Sequence, residues 1–410
     1  MGAGGGAGGF DMAAFLAAAA FSGGYNTALV TLGAAMLGAA AGAAGAFVFL
    51  RRRALVSDAL SHATLPGVAL AFMAMVALGG EGRWLPGLLL GSALSAALGL
   101  LLVEAIIRRT RLSEDAAIGA VLSAFFGFGV VLLTLIQTMP GGRQAGLSGF
   151  LLGSTAGMLA DEATLIAAMG ALAAGVVFAL RRPMTMTAFD PGFAASVGVN
   201  VRAVDLAIMG LALGVTVIGL KVVGLILIVA LLIIPPVTAR FWTDRVEVLA
   251  ALSAAFGAVA GWLGAALSAA AAQAPTGPLV VLTAFAVFAV SMLLAPGRGV
   301  LAAGLRRAKM TLAVHRRQGL LELARGEPIH DALTLRVLRR AGLIRADGAP
   351  TLAGRAAAAQ ALRDEARWAQ ARRDAPAAPG QEGLTPIADA FTPDQIAALD
   401  ARIAGVRVAP

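Results

Sequence analysis

Residues 51–78 read RRRALVSDALSHATLPGVALAFMAMVAL. Three arginines precede an apolar run long enough to cross a bilayer, since about 20 apolar residues span the hydrocarbon core as a helix. Within it lies SDALSHATLPGVALAF, residues 57–72, which carries Asp58 and His62 and then Pro66-Gly67. A carboxylate inside a membrane span costs on the order of 2.5–3.5 kcal/mol on insertion scales. In a helix, positions i and i+4 share a face, so Asp58 and His62 project side by side. Two readings follow from the spacing. A bound divalent cation would offset the cost, and a carboxylate with a neutral imidazole suits Zn²⁺, Mn²⁺ or Fe²⁺. One chain then supplies two ligands, and a second copy across a two-fold axis would supply two more. Alternatively, Asp58 lies close behind Arg53, near the membrane interface, where it caps the helix or pairs with arginine.

The 410 residues are 59% hydrophobic and 13% charged, with a mean hydropathy of +0.84. Soluble domains average about 25% charged residues. The composition is that of an all-α polytopic membrane protein. The long apolar runs fall in residues 1–297, read as a transmembrane domain; 298–372 read as a small soluble domain and 373–410 as a flexible tail with a short helix over 392–404. Cysteine is absent, which excludes disulfides and thiolate metal sites. Of the three histidines, His62, His315 and His330, only the first lies in the membrane part. A P-loop is excluded because Lys221 precedes Val222 and Lys309 precedes Met310, and the motif needs Lys followed by Ser or Thr. The net charge of +9 is accounted for by orientation in a bilayer, so nucleic-acid binding is not inferred. No basic region precedes the first apolar stretch, which argues against a cleaved signal peptide, and Phe10–Phe21 reads as a short interfacial helix.

Nine spans are expected, over about 27–50, 54–78, 86–107, 116–138, 163–180, 203–220, 222–241, 246–270 and 279–296. Alternate connections carry Arg51–Arg53, Arg108, Arg109, Arg111, Arg181, Arg182, Arg202, Arg240 and Arg245; the opposite ones carry only Arg83, Arg143 and Lys221. Positive-inside orientation puts the N-terminus outside and the soluble part in the cytoplasm. Residues 141–162, GGRQAGLSGFLLGSTAGMLADE, are too short and too rich in Gly and Ser to span and read as re-entrant. Residues 219–242 read as a broken helix: Gly219 and Gly224 bracket Lys221, and Pro235-Pro236 interrupt backbone bonding further on. A simple proline kink is the other reading.

The 57–72 stretch resembles the signature of the zinc/manganese/iron ABC-type import permeases, with Asp58, His62, Pro66 and Gly67 in matching positions. Three more stretches are similar to that family: FDPGFAASVGVN at 189–200, like its coupling segment, with Asp190, Pro191, Ala195 and Gly198; GFLLGS at 149–154; and LKVVGLILIVALLIIPPVTAR at 220–240, like its late broken helix. The resemblance covers about residues 25–296. It implies a transport subunit, not an enzyme, in the cell (inner) membrane. It also implies partner ATP-binding subunits, an extracytoplasmic metal-binding protein and a second permease subunit. The metal ion is cargo, with no permanently bound cofactor. Asp58 and His62 would contact it, and Pro66, Gly67, Lys221, Gly224, Pro235 and Pro236 would line or hinge the route.

Read from its residues alone, 189–200 is a short capped helix. Asp190 caps free amides, Pro191 suits the first helical position, and Gly198 or Asn200 stops the chain. Residues 320–370, LLELARGEPIHDALTLRVLRRAGLIRADGAPTLAGRAAAAQALRDEARWAQ, resemble the α+β winged-helix tails related to diphtheria-toxin-type metal repressors. Those modules carry histidine ligands; RDEARWAQ has none, so metal sensing is not carried over. A membrane-tethered metal-responsive regulator and an ion-coupled secondary carrier are the alternatives, and the coupling segment favours the ABC permease over both.

Overall fold

The computed structural model describes residues 10–80, 82, 84–138, 158–271, 274–374, 384 and 386–406. The chain forms two compact units, residues 1–300 and 301–410. The described residues of the first are helical: α1 (Met12–Ala19), α2 (Tyr25–Leu50), α3 (Ala54–Ala77), α4 (Leu85–Arg109), α5 (Glu114–Thr138), α6 (Ala160–Phe189), α7 (Pro191–Ser196), α8 (Val201–Val223), α9 (Leu225–Arg240), α10 (Val246–Ala270) and α11 (Thr276–Leu294).

Helix α4 shows how such a unit packs. Leu88, Ser92, Ala96, Gly99 and Val103 are buried at helical spacing, and Leu90, Leu94, Leu98 and Leu101 are exposed. Both faces are apolar. Small residues turn toward protein and leucines outward, as expected where the solvent is lipid and close backbone approach holds helices together. The same logic joins α2 to α10. A Cβ on Gly38 would sit 2.0 Å from the Gly257 carbonyl oxygen, and one on Gly257 2.0 Å from that of Gly38. One turn on, the Ser253 hydroxyl donates to the buried Gly42 carbonyl at 2.7 Å. Helix α1, capped by Asp11, is held through Trp262 of α10, whose Nε1–H donates to the Ala19 carbonyl at 3.1 Å.

Eight of the described helices are long and apolar enough to cross a membrane, where nine were expected. The exception is 222–241. The chain breaks at Gly224 (φ 82°), a conformation costly for any residue with a Cβ. It then doubles back: a Cβ on Gly219 would meet Ile228 Cδ1 at 2.4 Å. What remains is the 16-residue α9, about 24 Å long at 1.5 Å per residue, short of a typical hydrocarbon core of about 30 Å. Pro235 and Pro236 lie inside α9 without ending it. Pro236 has no N–H for the Leu232 carbonyl, and Gly45 of α2 packs against that oxygen so closely that a Cβ there would be 2.0 Å away. Of the segment expected to re-enter, residues 141–157 lie outside the described residues, as does GFLLGS; from Ala160 the chain is helix α6, longer than the span expected there.

The second unit contains α12 (Val300–Arg325), α13 (Ala332–Arg340), α14 (Leu352–Asp374), α15 (Ile387–Ala390) and α16 (Pro393–Val406). Leu320, Leu338, Leu343, Ile344 and Ala358 form its core. Arg367 of α14 grips Asp400 of α16 through two bonds, 2.7 and 2.6 Å. The expected wing is absent as a sheet among the described residues of this unit, which show one isolated bridge, Ile344 with Pro350. The Arg345 and Thr351 amides donate to the Ala349 and Leu343 carbonyls on either side of that bridge, at 2.9 and 3.0 Å, and the Thr351 hydroxyl then accepts from the Gly354 amide at the start of α14. The described elements of this unit are helices apart from that bridge and its turn, and they do not support the α+β winged-helix reading. Within the flexible tail expected over 373–410, residues 375–383, 385 and 407–410 lie outside the described residues, Asp374 ends α14, and 387–390 form α15.

Candidate functional site

Helix α3 carries the Asp58–His62 pair, and its neighbours fit it through small residues. A Cβ on Gly67 would lie 2.0 Å from the Gly91 carbonyl oxygen of α4, and one on Gly91 2.5 Å from that of Gly67. Gly99 of α4 packs on Ala63, and Gly129 of α5 on Leu65 and Pro66. The helix bearing the pair is thus gripped on two sides by backbone. Pro66 lies inside α3 and cannot donate to the carbonyl four residues back, which belongs to His62. The same turn holds the His62 ring and a carbonyl freed of its helical bond.

His62 Nε2 lies 3.5 Å from Asp58 Oδ1; the His62 side chain is 21% exposed and that of Asp58 42%. The buried His62 Nδ1 has no hydrogen-bond partner in the structure. Phe126 of α5 meets the ring edge-on at 5.0 Å. Arg53 does not reach for Asp58: its Nε pairs with Glu114 of α5 at 2.7 Å. Asp58 is not a cap either, since Arg53 occupies that position and Asp58 lies a full turn inside. His62 is the eighth residue after Ala54, about 12 Å along the helix from its start. No group of three or more His, Cys, Asp or Glu that could hold a metal ion occurs among the described residues. Among the described residues the pair is therefore a two-side-chain set.

The segment 189–200 folds as its residues dictate. Asp190 Oδ1 accepts from the Phe193 amide at 2.9 Å, Pro191 takes the first position of α7, and Gly198 (φ 88°) closes it. Asn200 Oδ1 then caps α8 by accepting from Ala203 at 3.0 Å. Ala194 is the buried residue of α7 and Ala195 is exposed, while Phe189, Phe193 and Val197 present apolar surface outward. Beside it opens a cavity of about 460 Å³ lined by Arg181, Arg182, Phe189, Phe193, Arg245 and Glu247, among others. Gly224 is the break itself, Pro235 and Pro236 sit in α9, and Lys221 belongs to α8.

One cluster escaped the sequence reading. Arg51, at the end of α2, donates to the Thr187 carbonyl of α6 at 2.6 Å and pairs with Asp205 of α8 at 2.8 Å. It ties together the two helices that flank α7. Nearby, Glu104 of α4 pairs with Arg108 at 2.5 Å and lies 3.9 Å from Arg202 of α8. Asp205 within VRAVDLAIMG and Glu104 within LLVEAIIRR were available signals, because a carboxylate in an apolar run demands a partner.

An all-α polytopic bundle with this helix-borne pair and a short capped helix between two spans defines a membrane transport protein. Residues 25–295 match the ABC 3 transport family, and the chain belongs to that family. It is a permease, a transport component and not an enzyme. It is 39% identical over 298 residues to the manganese transport system membrane protein MntC of Bacillus subtilis, covering 73% of this chain and 67% of that one. It is 38% identical over 288 residues to the zinc transport system membrane protein TroC of Treponema pallidum, covering 70% and 95%. Among solved structures it is similar to PsaBC from Streptococcus pneumoniae in complex with Fab, with a TM-score of 0.60, 28% identity, and coverage of 70% of this chain and 97% of that one.

Proposed function

We propose that this permease imports a divalent transition-metal ion, Mn²⁺, Zn²⁺ or Fe²⁺, across the cell (inner) membrane. The observation that carries this reading is the Asp58–His62 pair on one face of α3, with a partnerless imidazole nitrogen, in a chain whose relatives are manganese and zinc transport proteins. The pair offers a carboxylate oxygen and an imidazole nitrogen, a donor set these ions accept. Two protein ligands make a weak site, which suits an ion that must leave again. A second permease subunit facing the first would raise the set to four.

Partner subunits would supply the ATP hydrolysis, and an extracytoplasmic binding protein would deliver the ion. The exposed aromatic side of α7 and the cavity beside it would receive an ATPase subunit. Arg51 would pass the movement of α7 to α2 and, through the connection to α3, toward the pair. The arginine-rich connections and residues 298–372 would lie in the cytoplasm and the N-terminus outside, which requires the short α9 to carry the chain across as a ninth crossing. Pro66, Gly67, Lys221, Gly224, Pro235 and Pro236 belong to the route or its hinges, Pro66 by freeing the His62 carbonyl and Gly224 by turning the chain.

The test is uptake of the three ions into proteoliposomes holding the permease with its ATPase subunits. Uptake should require hydrolysable ATP and the ATPase. Accumulation that persists without the ATPase would sink the reading in favour of an ion-coupled carrier.

A further inference from the structure

The first half of α12 is an unusual helix. Of residues 300–314 all are exposed except Ala302, which is intermediate. Only from Gly319 and Leu320 onward does α12 enter the core of its unit. Its exposed part is nevertheless patterned. Leu301, Leu305, Ala308 and Leu312 recur at spacings of four, three and four, one stripe of a helix, and the three leucines are 54%, 64% and 46% exposed. Arg316 and Lys309 flank the stripe on one side, and Arg306 and Arg307 lie further round on either side. From Val300 to Leu321 there is no Asp or Glu. The helix begins six residues after Leu294, the end of a candidate membrane span, so the chain leaves the bilayer where α12 starts.

We propose that residues 300–314 form an interfacial helix that lies on the membrane surface, its leucine stripe in the acyl–headgroup boundary and its basic flanks on anionic lipid phosphates. A leucine stripe with Lys and Arg around it and no carboxylate is the pattern of a helix that lies in the interface plane. Being tethered to a span fixes the stripe at that depth without any cost of recruitment from solution. Each basic residue near an anionic surface strengthens the contact about fivefold. The inference rests on the chain crossing a membrane and is independent of which ion is carried.

The chain has no cysteine, so single labels can be placed without background. Full-length protein with a spin label at Leu301→Cys, Leu305→Cys, Leu312→Cys or, on the opposite face, Ala303→Cys is reconstituted in nanodiscs of phosphatidylglycerol with phosphatidylcholine. Accessibility to oxygen and to a water-soluble nickel chelate is then read by electron paramagnetic resonance. The account expects the three leucine positions to be severalfold more accessible to oxygen than to the chelate, with the order reversed at residue 303. Pure phosphatidylcholine, or Arg307→Gln with Lys309→Gln, should reduce the immersion. Equal chelate access at all four positions overturns the proposal. So does protection of the leucine positions that is unchanged in pure phosphatidylcholine and in the charge variant, because it would mean that protein covers the stripe. Thermal midpoints of the labelled chains, close to the unlabelled one, show that the readout is not misfolding.

Discussion

A methyl group on Gly67 would lie 2.0 Å from the carbonyl oxygen of Gly91, a backbone atom that cannot swing aside. Gly67→Ala should therefore cost about 1–3 kcal/mol and lower the thermal midpoint of the detergent-purified protein. Gly127 of α5 has nothing within 4 Å of its Cβ position. Gly127→Ala should instead raise the midpoint, since alanine in a helix gains about 0.5–1 kcal/mol over glycine. The two substitutions are chemically identical and opposite in expected sign. Arg51 and Arg108 make a similar contrast. Arg51 is 13% exposed and bound to two other helices; Arg108 is 51% exposed and paired one turn away. Arg51→Met should destabilise by about 3 kcal/mol, because it strands a largely buried carboxylate, and Arg108→Met by less than about 1 kcal/mol. Asp58 and His62 were legible because i, i+4 spacing is local. Their surroundings were not. The sequence offered Arg53 as a partner for Asp58, but α5 brings Glu114 to Arg53 from a distant part of the chain, and α8 brings Asp205 to Arg51 in the same way.

Among the elements, α7 and its caps were readable from 12 residues, since Asp-Pro starts and Gly-Val-Asn stops are local chemistry. Asp190→Ala should remove the Phe193 cap, about 1 kcal/mol, enough to fray a helix of six residues. On the proposed coupling role, co-purification of the ATPase subunit with this variant should fall while insertion is unchanged. The wing was misread because Asp347-Gly348 does announce a turn, and the sequence does not say whether the flanks pair. The flanks meet at one bridge before Thr351 leads the chain into α14. In α13 the cap is itself titratable. The Thr334 amide, first, and the Thr334 side chain hold the Asp331 carboxyl below its ordinary value, with His315 adding a smaller effect in the same direction. A carboxyl that titrates lower when folded contributes stability in full above its unfolded value, and the contribution is lost as pH falls through the folded one. The second unit should lose helicity in that acid range. Asp331→Asn, which keeps the accepting oxygen, should flatten this part of the dependence in circular dichroism.

Over the whole molecule, membrane class, helix order and the division near residue 300 follow from where apolar length and charge fall along the chain, and family membership agrees with them. Span count was less legible, because hydropathy sees apolar length but not the fold-back at Gly224 that leaves α9 short. The central claim concerns transport through the α3 pair, and it is tested most directly by metal uptake in the reconstituted permease–ATPase complex carrying Asp58→Ala or His62→Ala. Each variant should insert normally, keep its ATPase subunit and lose uptake of the cognate ion. Uptake by both variants at the rate of the unsubstituted complex would contradict the account.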